Sequence, residues 1–244
     1  MDFMPRTARN FRTVKPSSTG AVLRSSTLLN GLKEADLDFL AENSHLAFAE
    51  KGEVIWFNGS EIPFFGIAGT GFIKMVKSSA AGQETIVEMM GPGQMFGMLG
   101  TVDGTGCPLS ARAISDGWYL KVPKREFMLV YQGSTLLKDH VISRTTQRLR
   151  QAYDLVARMA RGGVEERMAA VLFVLSESYG EPSPGGFQLS VPLTRQDMAE
   201  LSGTTVESAI RVCSRWQKEG IIKSEGRMIS VMDEVALAEF IGAE

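Results

Sequence analysis

The feature that most constrains this chain is a change in apolar rhythm close to residue 123. From His45 to Val122, short runs rich in β-branched and aromatic residues alternate with glycine-containing turns: 53–57, 64–68, 71–76, 84–89, 110–115 and 118–122. Strands this short and this evenly spaced predict a small antiparallel barrel or jelly roll. Ile73 and Met75 flank Lys74, an alternation that turns one face inward. Beyond Pro123, which opens a helix over 124–131, apolar residues recur every three or four positions.

A long helix is expected from Ser134 to Arg161. Ile142, Thr145, Leu149, Ala152, Val156 and Met159 form a narrow stripe along it, flanked by Arg144, Arg148, Arg150 and Arg158. Such a stripe fits pairing with a second copy of the same helix, the alternative being packing on the roll. Gly162 and Gly163 then supply a hinge. A further helix follows over 164–179, with Met168, Val171, Leu172 and Leu175 on one face, and a Pro/Gly loop over 181–186. Upstream, 28–43 reads as a short helix. Residues 1–24, rich in Arg, Ser, Thr and Pro, read as an arm without regular structure.

Residues 192–231 carry the clearest pattern: helix, tight turn, helix, hairpin. Thr194 with Asp197 three residues on is an N-cap signature. Gly203 makes the turn, Thr204 or Thr205 caps the second helix, and Gly220 ends it. Ala209, Ile210, Val212 and Trp216 are expected to face inward. Thr205, Val206, Glu207 and Arg211 are expected to face outward. Strands at 221–224 and 228–231 around Gly226 then form a wing. In such a unit the start of the second helix enters the major groove. There a carboxylate such as Glu207 accepts from cytosine, and a guanidinium such as Arg211 bonds guanine. Taken without that context, Glu207 and Arg211 are an ordinary helix pair.

The chain is therefore read as α+β, with an N-terminal antiparallel β-roll (jelly roll) joined by a long dimerisation helix to a C-terminal winged helix-turn-helix. The boundaries are 1–27 for the basic arm, 28–133 for the sensor roll, 134–161 for the dimerisation helix and 162–244 for the winged domain. A net charge of -2 argues weakly against nucleic acid, but 1–24 and 134–161 are basic, and charge matters only where phosphates lie. Two cysteines and two histidines rule out a one-chain cysteine cluster and leave no metal site expected. No nucleophile–base pair or phosphate-cradling loop is visible, so no catalytic residues are assigned. No stretch is long and apolar enough for a membrane span, and no apolar core follows Arg6, Arg9 and Arg12, so the expected location is the cytoplasm.

Leu193–Ala199, Gly203–Ser208 and Ile210-Arg211 resemble the helix-turn-helix of the Crp/Fnr superfamily, and the likeness extends over nearly the whole chain from about residue 28. The resemblance implies phosphate contacts from Thr194, Arg195 and Gln196, and base-facing roles for Thr205, Glu207 and Arg211. Val206 before Glu207 looks like the Fnr branch, which has serine where Ile210 stands here. It also implies a homodimer on a palindromic operator in double-stranded DNA, with RNA polymerase as a further partner.

The sensor region departs from relatives that bind cyclic AMP. Met98 stands in place of their ribose-binding glutamate, Leu109 precedes Ser110 in place of their phosphate-binding arginine, and Ala152-Tyr153 replaces a Thr-Ser pair. Without the arginine a buried phosphate loses roughly several kcal/mol of pairing. The N-terminal cysteine cluster of iron–sulfur sensing is absent. Met89, Met98, Leu109, Ser110, Ala152 and Tyr153 are the candidate effector residues, and the cofactor is left unassigned. Met75, Met89, Met90, Met95 and Met98 are expected near the roll interior, as core or as an adaptable pocket. Haem through His45, His140 or a methionine, a redox thiol at Cys107 beside Arg112, and constitutive activity stay open.

Overall fold

The computed structural model describes residues 14–80, 82–103, 105–160 and 162–242, with backbone alone at 103 and 154–160. Residues 1–13 of the expected arm, Arg161, and the side chains of Val156, Arg158 and Met159 lie outside that description.

Among the described residues, eight strands build the roll: β1 (His45–Ala49), β2 (Val54–Trp56), β3 (Phe64–Ala68), β4 (Ile73–Ser78), β5 (Glu84–Met90), β6 (Met95–Phe96), β7 (Ser110–Ala113) and β8 (Gly117–Pro123). They form two four-stranded antiparallel sheets, ordered β1-β8-β3-β6 and β2-β7-β4-β5. Trp56, Ile73, Met75, Met90, Phe96, Cys107 and Tyr119 share the cluster between them. Trp56 stacks on Phe96 with centroids 5.2 Å apart and donates from Nε1 to the Leu109 carbonyl at 3.0 Å. Gly97 is required beside them, because a Cβ there would lie 2.7 Å from the Trp56 ring.

The outer face of the first sheet is covered by helices α1 (Thr19–Ser25), α2 (Glu34–Asn43) and α4 (Lys124–Gly133) and by the start of α5 (Thr135–Ala160). Helix α1 corrects the reading of an irregular arm through residue 27. Ser18 caps it, and Val22 and Leu23 are buried against the roll. The segment from 28 is likewise not one helix, since a 3₁₀ turn at Thr27–Leu29 precedes α2. A short helix, α3 (Met98–Asp103), follows β6.

Helix α6 (Val164–Tyr179) opens the C-terminal unit, which continues through α7 (Arg195–Ser202), α8 (Val206–Lys218) and α9 (Glu234–Glu239). Its sheet has the order β11-β12-β10-β9, from β9 (Gly180–Ser183), β10 (Gly186–Leu189), β11 (Ile222–Glu225) and β12 (Met228–Val231). The expected loop at 181–186 is thus largely a hairpin, with Phe187 and Leu189 anchoring it in the core.

The outward face of β4 and β5 meets this unit rather than solvent. Phe72, Val76, Ile86, Met89 and Ile114 of the roll share one apolar cluster with Met198, Ala199 and Leu175. Around it, the Tyr179 hydroxyl donates to the Met89 carbonyl at 2.8 Å, and the Arg227 guanidinium to the Ile114 carbonyl at 2.7 Å.

Candidate nucleic-acid interface

Thr194 starts α7 with a complete capping box. Its hydroxyl accepts from the Asp197 amide at 3.0 Å, and an Asp197 oxygen accepts from the Thr194 amide at 3.0 Å. Gly203 closes the helix in the left-handed region at φ 58, where a residue with a Cβ would be strained. Thr205, not Thr204, caps α8 by accepting from the Ser208 amide. These two ends set the angle between the helices.

Helix α8 divides sharply. Ala209, Val212, Cys213 and Trp216 are buried, while Thr205, Glu207 and Arg211 are exposed. Two expectations need correction. Val206 is half-buried and packs against the domain core rather than facing outward. Ile210, expected inward, is 47% exposed beside Glu207 and Arg211. Six apolar residues in eleven positions make a stripe too wide for one buried face, and Ile210 falls off its edge. An apolar side chain here suits a thymine methyl. Burial pushes the Cys213 thiol pKa up, which fits a packing role.

The residues opening α7 are held by their own domain. The Arg195 guanidinium donates to Ser224 Oγ at 2.9 Å in β11 and to Gln217 Oε1 at 3.3 Å in α8, so it joins both helices to the wing. The Gln196 amide donates to Glu200 Oε1 at 2.8 Å. Glu200 and Asp197 are buried and both meet Lys74 of β4, an arrangement no local pattern announces. Burial works to raise the Asp197 pKa, but the Thr194 hydroxyl and amide and the Lys74 ammonium outweigh it and hold the carboxyl low. For Lys74 burial works downward, and the bonds to Glu200 and Asp197 outweigh it to leave the pKa raised.

The six candidate effector residues do not converge. Met98 belongs to the helical cluster outside the first sheet, Leu109 packs on the roll interior, Ser110 pairs with outward-facing Val76 and accepts from the Asn58 amide, and Tyr153 is 65% exposed. Met89 and Ala152 alone line a cavity of about 440 Å³ between β5, α5 and α6, together with Arg144, Arg148 and Val174. The five methionines are likewise split: Met75 and Met90 face the roll interior, Met95 and Met98 the helices, and Met89 the C-terminal unit. Arg148, expected at the edge of the seam, is mostly buried against Glu88 at 3.1 Å and the Met95 carbonyl at 3.0 Å. Burial lowers its pKa against the pull of Glu88. Cys107 is buried, and the Arg112 guanidinium is engaged in a two-pronged pair with Glu84. His45 is exposed, and His140 Nδ1 donates to the Leu28 carbonyl at 2.9 Å.

A two-sheet β-roll, a long helix and a winged helix-turn-helix with one exposed face on its second helix define the class of DNA-binding regulators. Residues 47–134 match the cyclic nucleotide-binding domain, and residues 166–240 match the Crp-like helix-turn-helix domain. The chain belongs to the Crp/Fnr family of transcription regulators. It is 24% identical over 193 residues to the anaerobic regulatory protein of Pasteurella multocida, across 79% of this chain and 70% of that one. To the transcriptional activator protein anr of Pseudomonas aeruginosa it is 22% identical over 195 residues, across 80% of each chain. The fold is similar to that of FixK2 from Bradyrhizobium japonicum, at TM-score 0.73 and 22% identity, covering 82% of this chain and 98% of that structure. No helix among the described residues is long and apolar enough to cross a membrane.

Proposed function

We propose that the chain acts in the cytoplasm as a homodimer joined along α5, and that each protomer sets α8 into one of two successive major grooves of a palindromic operator. The exposed face of α8 carries this reading, because Glu207, Ile210 and Arg211 crown a helix whose opposite face is fully buried. In this reading Glu207 and Arg211 read base edges, and Ile210 contacts a thymine methyl. Arg195 and Gln196 lie along the phosphates, and Thr194, whose amide and hydroxyl both donate to Asp197, fixes their place from the cap. Arg195 has five N–H donors and keeps some for DNA while bonding Ser224 and Gln217. RNA polymerase is the downstream partner in this reading.

The test is selection of duplexes from a randomised library, followed by affinity measurements on the selected sequence. Arg211→Ala is expected to cost about 1–3 kcal/mol and to relax specificity at one base pair in each half-site. Unchanged affinity and specificity would remove Arg211 from the recognition set.

For the signal, Trp56 and Phe96 fill the roll interior, which disfavours cyclic nucleotide there. The cavity beside Met89 and Ala152 touches the roll, the long helix and the C-terminal unit at once, and is the effector site we favour. Native mass spectrometry of gently purified protein tests it. Bound mass that persists in Val174→Trp would argue against that cavity.

A further inference from the structure

An outward lysine on an antiparallel strand normally ends in water. Lys74 instead is 6% exposed, and the two carboxylates it meets are 4% and 6% exposed on a helix of the other unit. Its ammonium lies 2.9 Å from Asp197 Oδ1 and 2.7 Å from Glu200 Oε2. The remaining oxygen of each carboxylate points to the start of α7. Asp197 Oδ2 accepts from the Thr194 amide and from its hydroxyl at 2.6 Å, and Glu200 Oε1 accepts from Gln196.

Within the winged unit Glu200 is bonded by the neutral Gln196 amide, which leaves its charge unmatched. A helix packed on a sheet needs an apolar residue there, and an unpaired buried carboxylate is costly. The cap explains Asp197 only in part, because its second oxygen is spent on Lys74. Both acids are thus shaped for one cation on the roll.

We propose that Lys74 is a positioning residue for DNA binding: it fixes α7 on the roll and, through the far oxygens of Asp197 and Glu200, holds the Thr194 cap and sets Gln196, at the start of α7, in its phosphate-facing place. This rests on the reading of α7 as the phosphate-contacting helix. Two recognition helices must lie about one helical turn of DNA apart, and two glycines cannot hold that spacing. Docking on the roll can, because the roll is continuous with α5. The docked unit leaves Glu207 and Arg211 exposed, so docking presents the recognition face rather than hiding it.

The experiment is fluorescence anisotropy of full-length protein on the duplex selected by wild type and on a scrambled duplex, well below the melting transition. Lys74→Met leaves two like charges buried against each other and is expected to lose affinity for the selected duplex by on the order of tenfold or more. Binding to the scrambled duplex should change little. Lys74→Arg should restore most of the loss, which a merely disrupted fold would not allow. If Lys74→Met does not fold, Glu200→Gln serves, since it spares the capping box. It should weaken selected-duplex binding in the wild-type background, and a Lys74→Arg background should leave that effect in place. Lys74→Met binding as tightly as wild type overturns the proposal, and tighter binding overturns it in favour of an autoinhibitory contact. If wild type selects no sequence at all, the recognition reading itself has failed. If Arg211→Ala loses affinity while Lys74→Met does not, only the positioning role has failed.

Discussion

In α8 the apolar face is covered within one chain, with Trp216 fully buried and Val212 and Cys213 beside it. In α5 the apolar positions Ile142, Leu149 and Tyr153 stand 62%, 49% and 65% exposed. Both helices are amphipathic, α8 the more sharply, yet the apolar face of α8 is covered in the same molecule while, among the described residues, Ile142, Leu149 and Tyr153 of α5 are not. Each leaves one face unused by the fold. On α8 that face carries Glu207, Ile210 and Arg211, which the proposed reading sets against base edges. On α5 it is apolar, and a second copy of α5 is the surface that repeats its spacing.

The largest expected effect breaks the complete side of this comparison. Trp216→Ala should destabilise the winged unit by about 3–5 kcal/mol, because it empties a closed site. Thermal unfolding followed by circular dichroism measures it. A cost below about 1 kcal/mol would mean that α8 is less well covered than its burial shows.

The incomplete side is broken next. Leu149→Glu puts a charge at the same place in both copies and removes two half-buried leucines, each worth up to about 1.5–3 kcal/mol. Sedimentation should show dimer affinity falling by on the order of a hundredfold with the monomer fold intact, from that same burial estimate. A dimer of unchanged affinity would place the contact elsewhere.

A smaller effect sharpens the contrast between the two caps. Thr194→Ala should cost about 1–2 kcal/mol, because its hydroxyl sits in a closed box with Asp197. Thr205→Ala should cost nearer about 0.5 kcal/mol, at the exposed end of the range. Equal costs in chemical denaturation would deny that the α7 cap is coupled to the buried cluster.

What was legible in the sequence follows the same division. The two helices and the wing could be read from local signals, a cap at Thr194, a second at Thr204 or Thr205, and glycines at 203, 220 and 226, whereas the faces of Val206 and Ile210 and the hairpin at 180–189 could not. The stripe on α5 was legible by period alone. The pairing of Lys74 with Glu200 was not, since 126 positions separate them and nothing near either one announces the other. The methionines misled for a related reason. The pleat sends Met90 into the roll and Met89 out of it, and only the other unit shows that outward does not mean solvent. Helix α1 was hidden in a basic, serine-rich stretch with two apolar anchors, Val22 and Leu23.

The smallest expected effect concerns pH, and its absence is the prediction. The Asp197 pKa lies below its ordinary value of 3.8 in the folded chain, so its stabilisation is present above that value and fades as pH falls through the folded pKa. The Lys74 pKa lies above 10.5, so its contribution is present below that value and fades as pH rises through the folded pKa. Both contributions should therefore be flat between about pH 5 and 9. Energy transfer between a dye on the β4–β5 turn and one on the wing would read the docking directly. A transition inside that window, abolished by Lys74→Met, would mean that the buried cluster changes protonation as the cell does. The roll–α7 contact would then be a switch, and α8 would no longer be a surface held ready by its own chain.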